Sequence, residues 1–260
     1  VLYRTSTRIE EPLMTEASQP YEQSAALYAR FYRLQGKDYA AESAEVVDQI
    51  RQHNPGATSL LDVGCGAGDH LVYLAADFSV TGADLSADML AVAQQRLPDV
   101  TFHEADMRSL AFAGEVDAIV CLFSAVGYMR NVTELESAIG AMAAHLAPGG
   151  VLLVDGWVLP DAWGLGTKVR HEFVEDDDGA IARISKSWRD GDTTVLEFHY
   201  LGGVGDDVVS FMERHELTLF SDEQYRAAFA QAGLHVDVVP SPMPDRNRYI
   251  AVREGSGLGR

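Results

Sequence analysis

The sequence predicts an α/β fold: a doubly wound (Rossmann-like) sheet with an inserted antiparallel β lobe. Three observations carry this. Between about residues 40 and 155, short continuous apolar runs alternate with stretches of helical periodicity, the pattern of a parallel sheet covered on both faces. The first run ends in a glycine-rich turn, Leu61-Asp62-Val63-Gly64-Cys65-Gly66-Ala67-Gly68, that opens a helix. Beyond about residue 160 the chain changes to β-branched and aromatic segments separated by turn signals.

Taken in order, Val46, Val47 and Ile50 share one helical face behind Asp38 as N-cap. Ser59 to Val63 is the first strand, followed by the glycine turn and a helix from about Asp69 to Ala76. Ser79 to Ala83 is the second strand, and Ser86 caps a helix presenting Met89, Leu90, Ala93 and Leu97. Val100 to His103 and Ala118 to Leu122 are the third and fourth strands. Leu135, Ile139, Met142 and Leu146 recur at helical spacing until Pro148-Gly149-Gly150 stops them, and Val151 to Asp155 is the fifth strand.

Residues 168–174, 180–188, 193–201 and 208–220 read as an antiparallel meander, broken at Asp176-Asp-Asp-Gly179, Arg189-Asp-Gly-Asp192 and Gly202-Gly-Val-Gly205. Ser221-Asp-Glu-Gln224 is a capping box opening a helix to about Gly233, and strands near 235–239 and 247–253 return to the main sheet. The domain division is therefore a disordered leader at 1–20, with Met14 a candidate natural start, an α/β cofactor domain at 21–160 and a β lobe at 161–220. The return segment covers 221–253 and a flexible tail 254–260.

A formal charge of −19 argues against nucleic acid as partner. No apolar run approaches the roughly 20 residues that cross a bilayer, so no membrane is expected either. Two cysteines, Cys65 and Cys121, fit a reducing cytoplasm. No metal site is expected, because the eight histidines are scattered without ligand spacing.

The glycine turn alone leaves two cofactor classes open. A dinucleotide site wants Gly-x-Gly-x-x-Gly, with the pyrophosphate on a helix N-terminus. Here the third such position is Asp69, whose carboxylate would repel a pyrophosphate. S-adenosylmethionine instead brings a sulfonium and an ammonium group, for which carboxylates are welcome. Asp62 can hold the ammonium, and Gly64, Gly66 and Gly68 let the backbone approach. Asp84 can accept both ribose hydroxyls, while Asp106 and Met107 can meet the adenine. Three acids at three successive strand ends form a more specific signal than the glycines. Leu85 and Leu122, next to strand ends, complete the expected cofactor set.

Several segments together resemble a known family. They are Tyr28, Gly36-Lys-Asp-Tyr-Ala40, Ser59-Leu-Leu-Asp-Val63, Leu85-Ser-Ala-Asp-Met-Leu90, Asp106-Met107-Arg108, Phe123-Ser-Ala-Val-Gly-Tyr128 and Leu217-Thr-Leu-Phe220. The chain resembles the TDP-amino-sugar N,N-dimethyltransferases of the desosamine and mycaminose type, within class I S-adenosylmethionine-dependent methyltransferases. The similarity spans about Tyr21 to Val252. It implies N-methylation of a nucleotide-linked deoxy amino sugar in antibiotic biosynthesis, with S-adenosylhomocysteine as product, and a homodimer built on the β lobe. It assigns Tyr28 and Tyr39 to the cofactor pocket, and Tyr21, Tyr128 and Trp157 to the substrate side.

The family's Pro-Trp-Trp run is replaced here by Gly156-Trp157-Val158, and its Ser-Gly-Arg-Gly loop by Pro244-Asp-Arg-Asn-Arg-Tyr249. Arg246 and Arg248 are the candidate diphosphate holders, since a guanidinium fork suits phosphate. Methyl transfer needs a neutral amine aligned with the carbon–sulfur axis, and a strong general base is not obligatory. Tyr128 is accordingly expected to orient the nucleophile. The alternatives are methylation of another small amine or hydroxyl, or a cofactor-binding subunit without activity.

Overall fold

A computed structural model describes residues 21, 24–111, 113–164, 166–204 and 207–255. The leader at 1–20 and residues 256–260 of the tail lie outside the described residues. Five parallel strands, β1 (Ser59–Val63), β2 (Ser79–Asp84), β3 (Thr101–Glu104), β4 (Val116–Cys121) and β5 (Leu146–Asp155), form the main sheet. Two antiparallel strands, β10 (His235–Pro240) and β11 (Asn247–Val252), extend it, giving the order β10-β11-β5-β4-β1-β2-β3. The order reverses between β1 and β4, and open α/β sheets bind ligands at the carboxyl ends flanking such a switch point.

The predicted class follows from burial on both faces. Leu61, Ile119 and Leu152 pack with Leu135, Ile139 and Met142 of α5 (Val132–Ala144) on one side. Leu60, Val120 and Leu153 pack with Val46 and Ile50 of α2 (Tyr39–His53) on the other. Each such side chain, taken fully out of water, contributes about 1.5–3 kcal/mol. Asp38 caps α2 and Ser86 caps α4 (Ala87–Arg96), through the amides of Ala41 and Met89. Ser221 and Gln224 close the capping box of α6 (Asp222–Gln231).

Two local expectations are corrected. The helix expected over 69–76 is only α3 (Leu71–Leu74), because i→i+3 bonds such as Tyr73 N–H to His70 C=O and Ala76 N–H to Tyr73 C=O tighten both its ends. Pro148-Gly149-Gly150 does not separate helix from strand. α5 already ends at Ala144, and the triplet lies inside β5, where the register against β4 shifts between Val116 and Ala118. A Cβ on Gly150 would sit 2.8 Å from the Ala147 carbonyl, so the irregularity requires glycine.

Inserted between β5 and α6 is the meander β6 (Lys168–Asp176), β7 (Gly179–Asp190), β8 (Thr193–Val204) and β9 (Asp207–Thr218). Its register aligns three rows on one face: Lys168, Ser187, Leu196 and His215; Arg170, Ser185, Phe198 and Glu213; Glu172, Arg183, Tyr200 and Phe211. Helix α1 (Ala25–Leu34) bridges this lobe to the main sheet. Leu27 and Phe31 pack on Val174, Ile181 and Tyr200, while Ala25 and Ala29 pack on Ala67 and Met89.

Candidate active site

A cavity of about 1260 Å³ opens over the carboxyl ends of β1, β2, β3 and β4, roofed by α1 and walled by the lobe. Its floor is the glycine turn. Gly64 has φ +75°, and a Cβ there would stand 2.7 Å from the Ala125 Cβ, so only glycine leaves this approach open. The amide of Gly66 donates to Asp84 at 2.8 Å, and the Ser86 amide donates to the other oxygen at 2.9 Å. These bonds tie the end of β2 to the loop after β1. Burial still raises the Asp84 carboxyl above its usual range.

Asp62 is 2% exposed, and its Oδ1 has no hydrogen-bond partner. Burial, reinforced by the neighbouring charge of Asp84, pushes its carboxyl up to about 8. Such a group calls for a cationic donor. A buried acid with an unmet oxygen, a cradle that a Cβ would fill and a second acid beside it fit the ammonium, sulfonium and ribose of S-adenosylmethionine. Asp106 behaves differently: Arg108 grips it through Nε at 3.0 Å and holds it below the usual carboxylate range. Its lone pairs are partly engaged before any adenine arrives.

Along the roof, Tyr21, Tyr28, Tyr32 and Phe123 make successive edge or tilted contacts with centroids 5.2, 4.8 and 5.3 Å apart. Phe123 and Ser124 both adopt left-handed backbone, with φ 52° and 64°. Two adjacent non-glycine residues there mark a strained turn, over-determined by its surroundings. The Phe123 amide donates to Asp155 at 3.2 Å and the Ser124 hydroxyl to the Gly156 carbonyl at 2.7 Å.

Of the expected residues, Tyr21, Tyr28, Tyr39, Asp62, Gly64, Gly66, Asp84, Leu85, Asp106, Met107, Leu122, Tyr128, Trp157 and Arg246 line the one cavity. Two do not. Gly68 instead gives α4 its close approach, since a Cβ there would meet Leu97 at 3.3 Å and Ala93 at 3.5 Å. Arg248 is 2% exposed, pairs with Asp155 (Nε to Oδ1, 2.7 Å) and donates to Glu45 and Gln49. Its fork is used up inside the fold, so it is not a phosphate holder. Asp69 does not present the repelling charge expected of it, because Arg96 neutralises its carboxylate at 2.8 Å. What argues against a pyrophosphate is Asp62 with Asp84.

Arg246 stacks on Trp157, with its guanidinium carbon 4.3 Å from the ring centroid, and donates to the Ser124 hydroxyl at 3.2 Å. Among the described residues no carboxylate pairs with it, its Nε is unmet, and burial lowers its pKa. The Trp157 indole N–H is committed to Thr194 at 2.9 Å, so Trp157 offers a surface rather than a donor. Cys65 is a buried thiol pushed up by that burial, not a reactive one.

Sequence reasoning did not single out Tyr32, Phe123, Arg183 or His215 as cavity residues. Arg183 is sandwiched on Phe31 and Phe198 at 4.1 and 4.6 Å and paired with Glu172 at 3.2 Å. The available signal was alternation along the lobe strands, which places 183 and 215 with buried neighbours but does not say which sheet face meets the cavity. Among the described residues no group of His, Cys, Asp and Glu could hold a metal ion, and no helix is long and apolar enough to cross a membrane.

Residues 60–150 match the family model described as a methyltransferase domain. The chain is 40% identical over 230 residues to the dTDP-3-amino-3,4,6-trideoxy-alpha-D-glucopyranose N,N-dimethyltransferase of Streptomyces venezuelae, covering 88% of this chain and 97% of the relative. The crystal structure of Streptomyces venezuelae DesVI superposes with a TM-score of 0.84 at 40% identity, over 88% of this chain and 97% of that one. The S-adenosylmethionine-bound structure of CalS10, an amino pentose methyltransferase from Micromonospora echinaspora, gives 0.79 at 40% identity over 87% and 96%. With its doubly wound sheet, strand-end acids and β lobe, the chain belongs to the TDP-amino-sugar N,N-dimethyltransferase family of class I S-adenosylmethionine-dependent methyltransferases.

Proposed function

We propose that this enzyme transfers methyl groups from S-adenosylmethionine to the amino group of a TDP-linked deoxy amino sugar. The observation that carries the acceptor is Arg246: a partly buried guanidinium without a carboxylate partner among the described residues, stacked on Trp157 at the cavity wall. A partly desolvated cation next to a ring, with no carboxylate bonded to it among the described residues, is suited to a diphosphate.

In this reading Asp62 takes the methionine ammonium, Asp84 the ribose, and Asp106 with Met107 the adenine. Leu85, Leu122, Tyr28 and Tyr39 enclose the cofactor. Tyr21, Tyr128 and Trp157 flank the sugar. The chain's work is alignment of the amine with the methyl carbon and exclusion of water by the tyrosine roof.

The test is turnover of a TDP-3-amino sugar followed by mass spectrometry, beside the free amino sugar and an unrelated amine panel. Methylation of the nucleotide sugar with at least tenfold preference over the free sugar is expected. Equal rates on both would reject the nucleotide handle.

The homodimer is proposed on the opposite face of the lobe. Val169, Phe173, Ile184, Leu201 and Val208 are 53–75% exposed there, an apolar patch that invites a partner. Light scattering should give twice the chain mass, and Phe173→Asp with Leu201→Asp should give monomers. A wild-type monomer at micromolar concentration would reject it. The free, buried thiols of Cys65 and Cys121 support a reducing cytoplasm as its compartment.

A further inference from the structure

Behind Tyr128 lies a chain of polar groups that neither cofactor nor diphosphate uses. The Tyr21 and Tyr128 hydroxyls are 2.6 Å apart, and the Tyr128 hydroxyl is 2.8 Å from Nδ1 of His215. The other ring nitrogen, Nε2, stands 3.6 Å from Oε2 of Glu213. Glu213 is completely buried; its Oε1 accepts the Ser24 amide at 3.1 Å, and its Oε2 has no hydrogen-bond partner among the described residues. Glu213 and His215 are two apart on β9, so both point to the cavity side of the lobe. A buried acid facing a buried histidine that in turn meets a cavity-lining phenol is an arrangement for moving a proton.

The chemistry of dimethylation requires such movement. An alkyl ammonium has no lone pair, so the acceptor must lose a proton before each attack, and the first transfer leaves the nitrogen charged again with its remaining N–H bonds in place. A buried phenol is a poor final acceptor, and burial raises both tyrosines well above their ordinary values. It must therefore pass one proton on as it takes another. Tyr128 can do so toward Nδ1 only when His215 carries its ring proton on Nε2, the side that Glu213 faces.

We propose that His215, favoured in the Nε2–H tautomer by the acid of Glu213 that faces Nε2, receives through Tyr128 the proton that the substrate ammonium must shed. The substrate N–H bond breaks as an O–H bond forms on Tyr128, or on Tyr21 as the Tyr21 O–H bond breaks toward the Tyr128 oxygen. The Tyr128 O–H bond breaks as Nδ1–H forms. The positive charge then rests on an imidazolium that faces Glu213 and gives its proton to water before the next transfer, and no other reactant is consumed. His215 is thus a positioning residue for this step, acting through Tyr128, and its role rests on the amine acceptor proposed above.

Among the described residues, the ionisable groups that meet the imidazole are Tyr21, Tyr128 and Glu213. Tyr21 (5.1 Å between centroids) comes from the segment before α1, Tyr128 from the turn after β4, and Glu213 from β9 itself. From β8 it meets the ring of Phe198 at 5.0 Å. The cations of the same wall, Arg183 on β7 with Lys168 and Arg170 on β6, stand two or three strands away in the register. Arg214, next in sequence, is paired with Glu216 and Glu197.

The test is the pH profile of turnover on the TDP-amino sugar for wild type, His215→Gln and Glu213→Gln, with S-adenosylmethionine affinity measured alongside. Wild-type turnover of this amine is established first; its absence would reject the proposed substrate and not the relay. At pH 7 each variant should lose about 10- to 100-fold in kcat, accumulate monomethyl product and keep its cofactor affinity. Above the pKa of the substrate amine, where the nucleophile is already neutral, the loss should shrink to within about twofold. Glu213→Gln retains an acceptor for the Ser24 amide, so it remains informative if His215→Gln does not fold. A loss independent of pH would make the pair structural, and no loss at pH 7 would reject the relay.

Discussion

Arg248 lies with its Nε 2.7 Å from Asp155 at the end of β5, and the other Asp155 oxygen accepts the amide of Phe123 at 3.2 Å. One buried ion pair therefore braces the strained Phe123-Ser124 turn that borders the cavity. Removing one partner of a buried pair leaves an uncompensated charge, at about 3–5 kcal/mol. Arg248→Ala should lower Tm by about 10 °C in a thermal melt. Its KM for the nucleotide sugar, measured on the folded fraction, should stay within about threefold of wild type. A stable Arg248→Ala with a large KM defect would return this residue to the phosphate site.

Arg246 should behave in the opposite way. With no carboxylate partner and an unmet Nε, it contributes little to folding, so Arg246→Ala should shift Tm by no more than about 2 °C. Loss of a charge-assisted contact to diphosphate, about 1.5–3 kcal/mol, should raise KM for the TDP sugar by about 10- to 100-fold. The already slow reaction of the free amino sugar should not change. Steady-state kinetics on both acceptors checks it.

The contrast between these arginines marks where sequence stops. The main fold was legible because residues 118–122 and 151–154 are apolar without alternation, as are 60–63 apart from Asp62, which strands covered on both faces require. The strand-end acids were legible because chain order alone puts them on one sheet edge. Arg246 and Arg248 could not be separated, since their fates depend on the antiparallel register that sets Arg248 opposite Asp155. Gly68 looked like its neighbours but serves the packing of α4, and Asp69 finds Arg96 from that same helix 27 residues on. The His215 and Glu213 pair was invisible because which face of the lobe meets the cavity is a tertiary fact.

Gly64 is the glycine whose replacement should tell most. A methyl group there would meet the Ala125 Cβ at 2.7 Å while the backbone sits at φ +75°. Positive φ and overpacking together cost about 2–4 kcal/mol. Gly64→Ala should lose at least tenfold in S-adenosylmethionine affinity by calorimetry and about 5 °C or more in Tm. Full affinity in this variant would mean that the loop and the turn after β4 separate more readily than their contact suggests.

Asp62 ties stability, cofactor affinity and pH into one prediction. Its carboxyl is held near 8 in the ligand-free protein, against about 4 in an unfolded chain. Between those two values the folded state holds one more proton than the unfolded state, so stability from this group falls as pH rises and the penalty is complete above about 8. A bound cation prefers the ionised carboxylate and reverses that balance. S-adenosylmethionine binding at pH 7 should therefore release close to one proton, seen in calorimetry across buffers of different ionisation enthalpy. Affinity should weaken by up to about tenfold for each pH unit below 8. Asp62→Asn should abolish both effects and bind the cofactor at least 100-fold more weakly. It should nevertheless melt about 2–6 °C higher than ligand-free wild type at pH 8, because an amide avoids burying a charge. Proton release equal to wild type in Asp62→Asn would assign the titration to Asp84 instead.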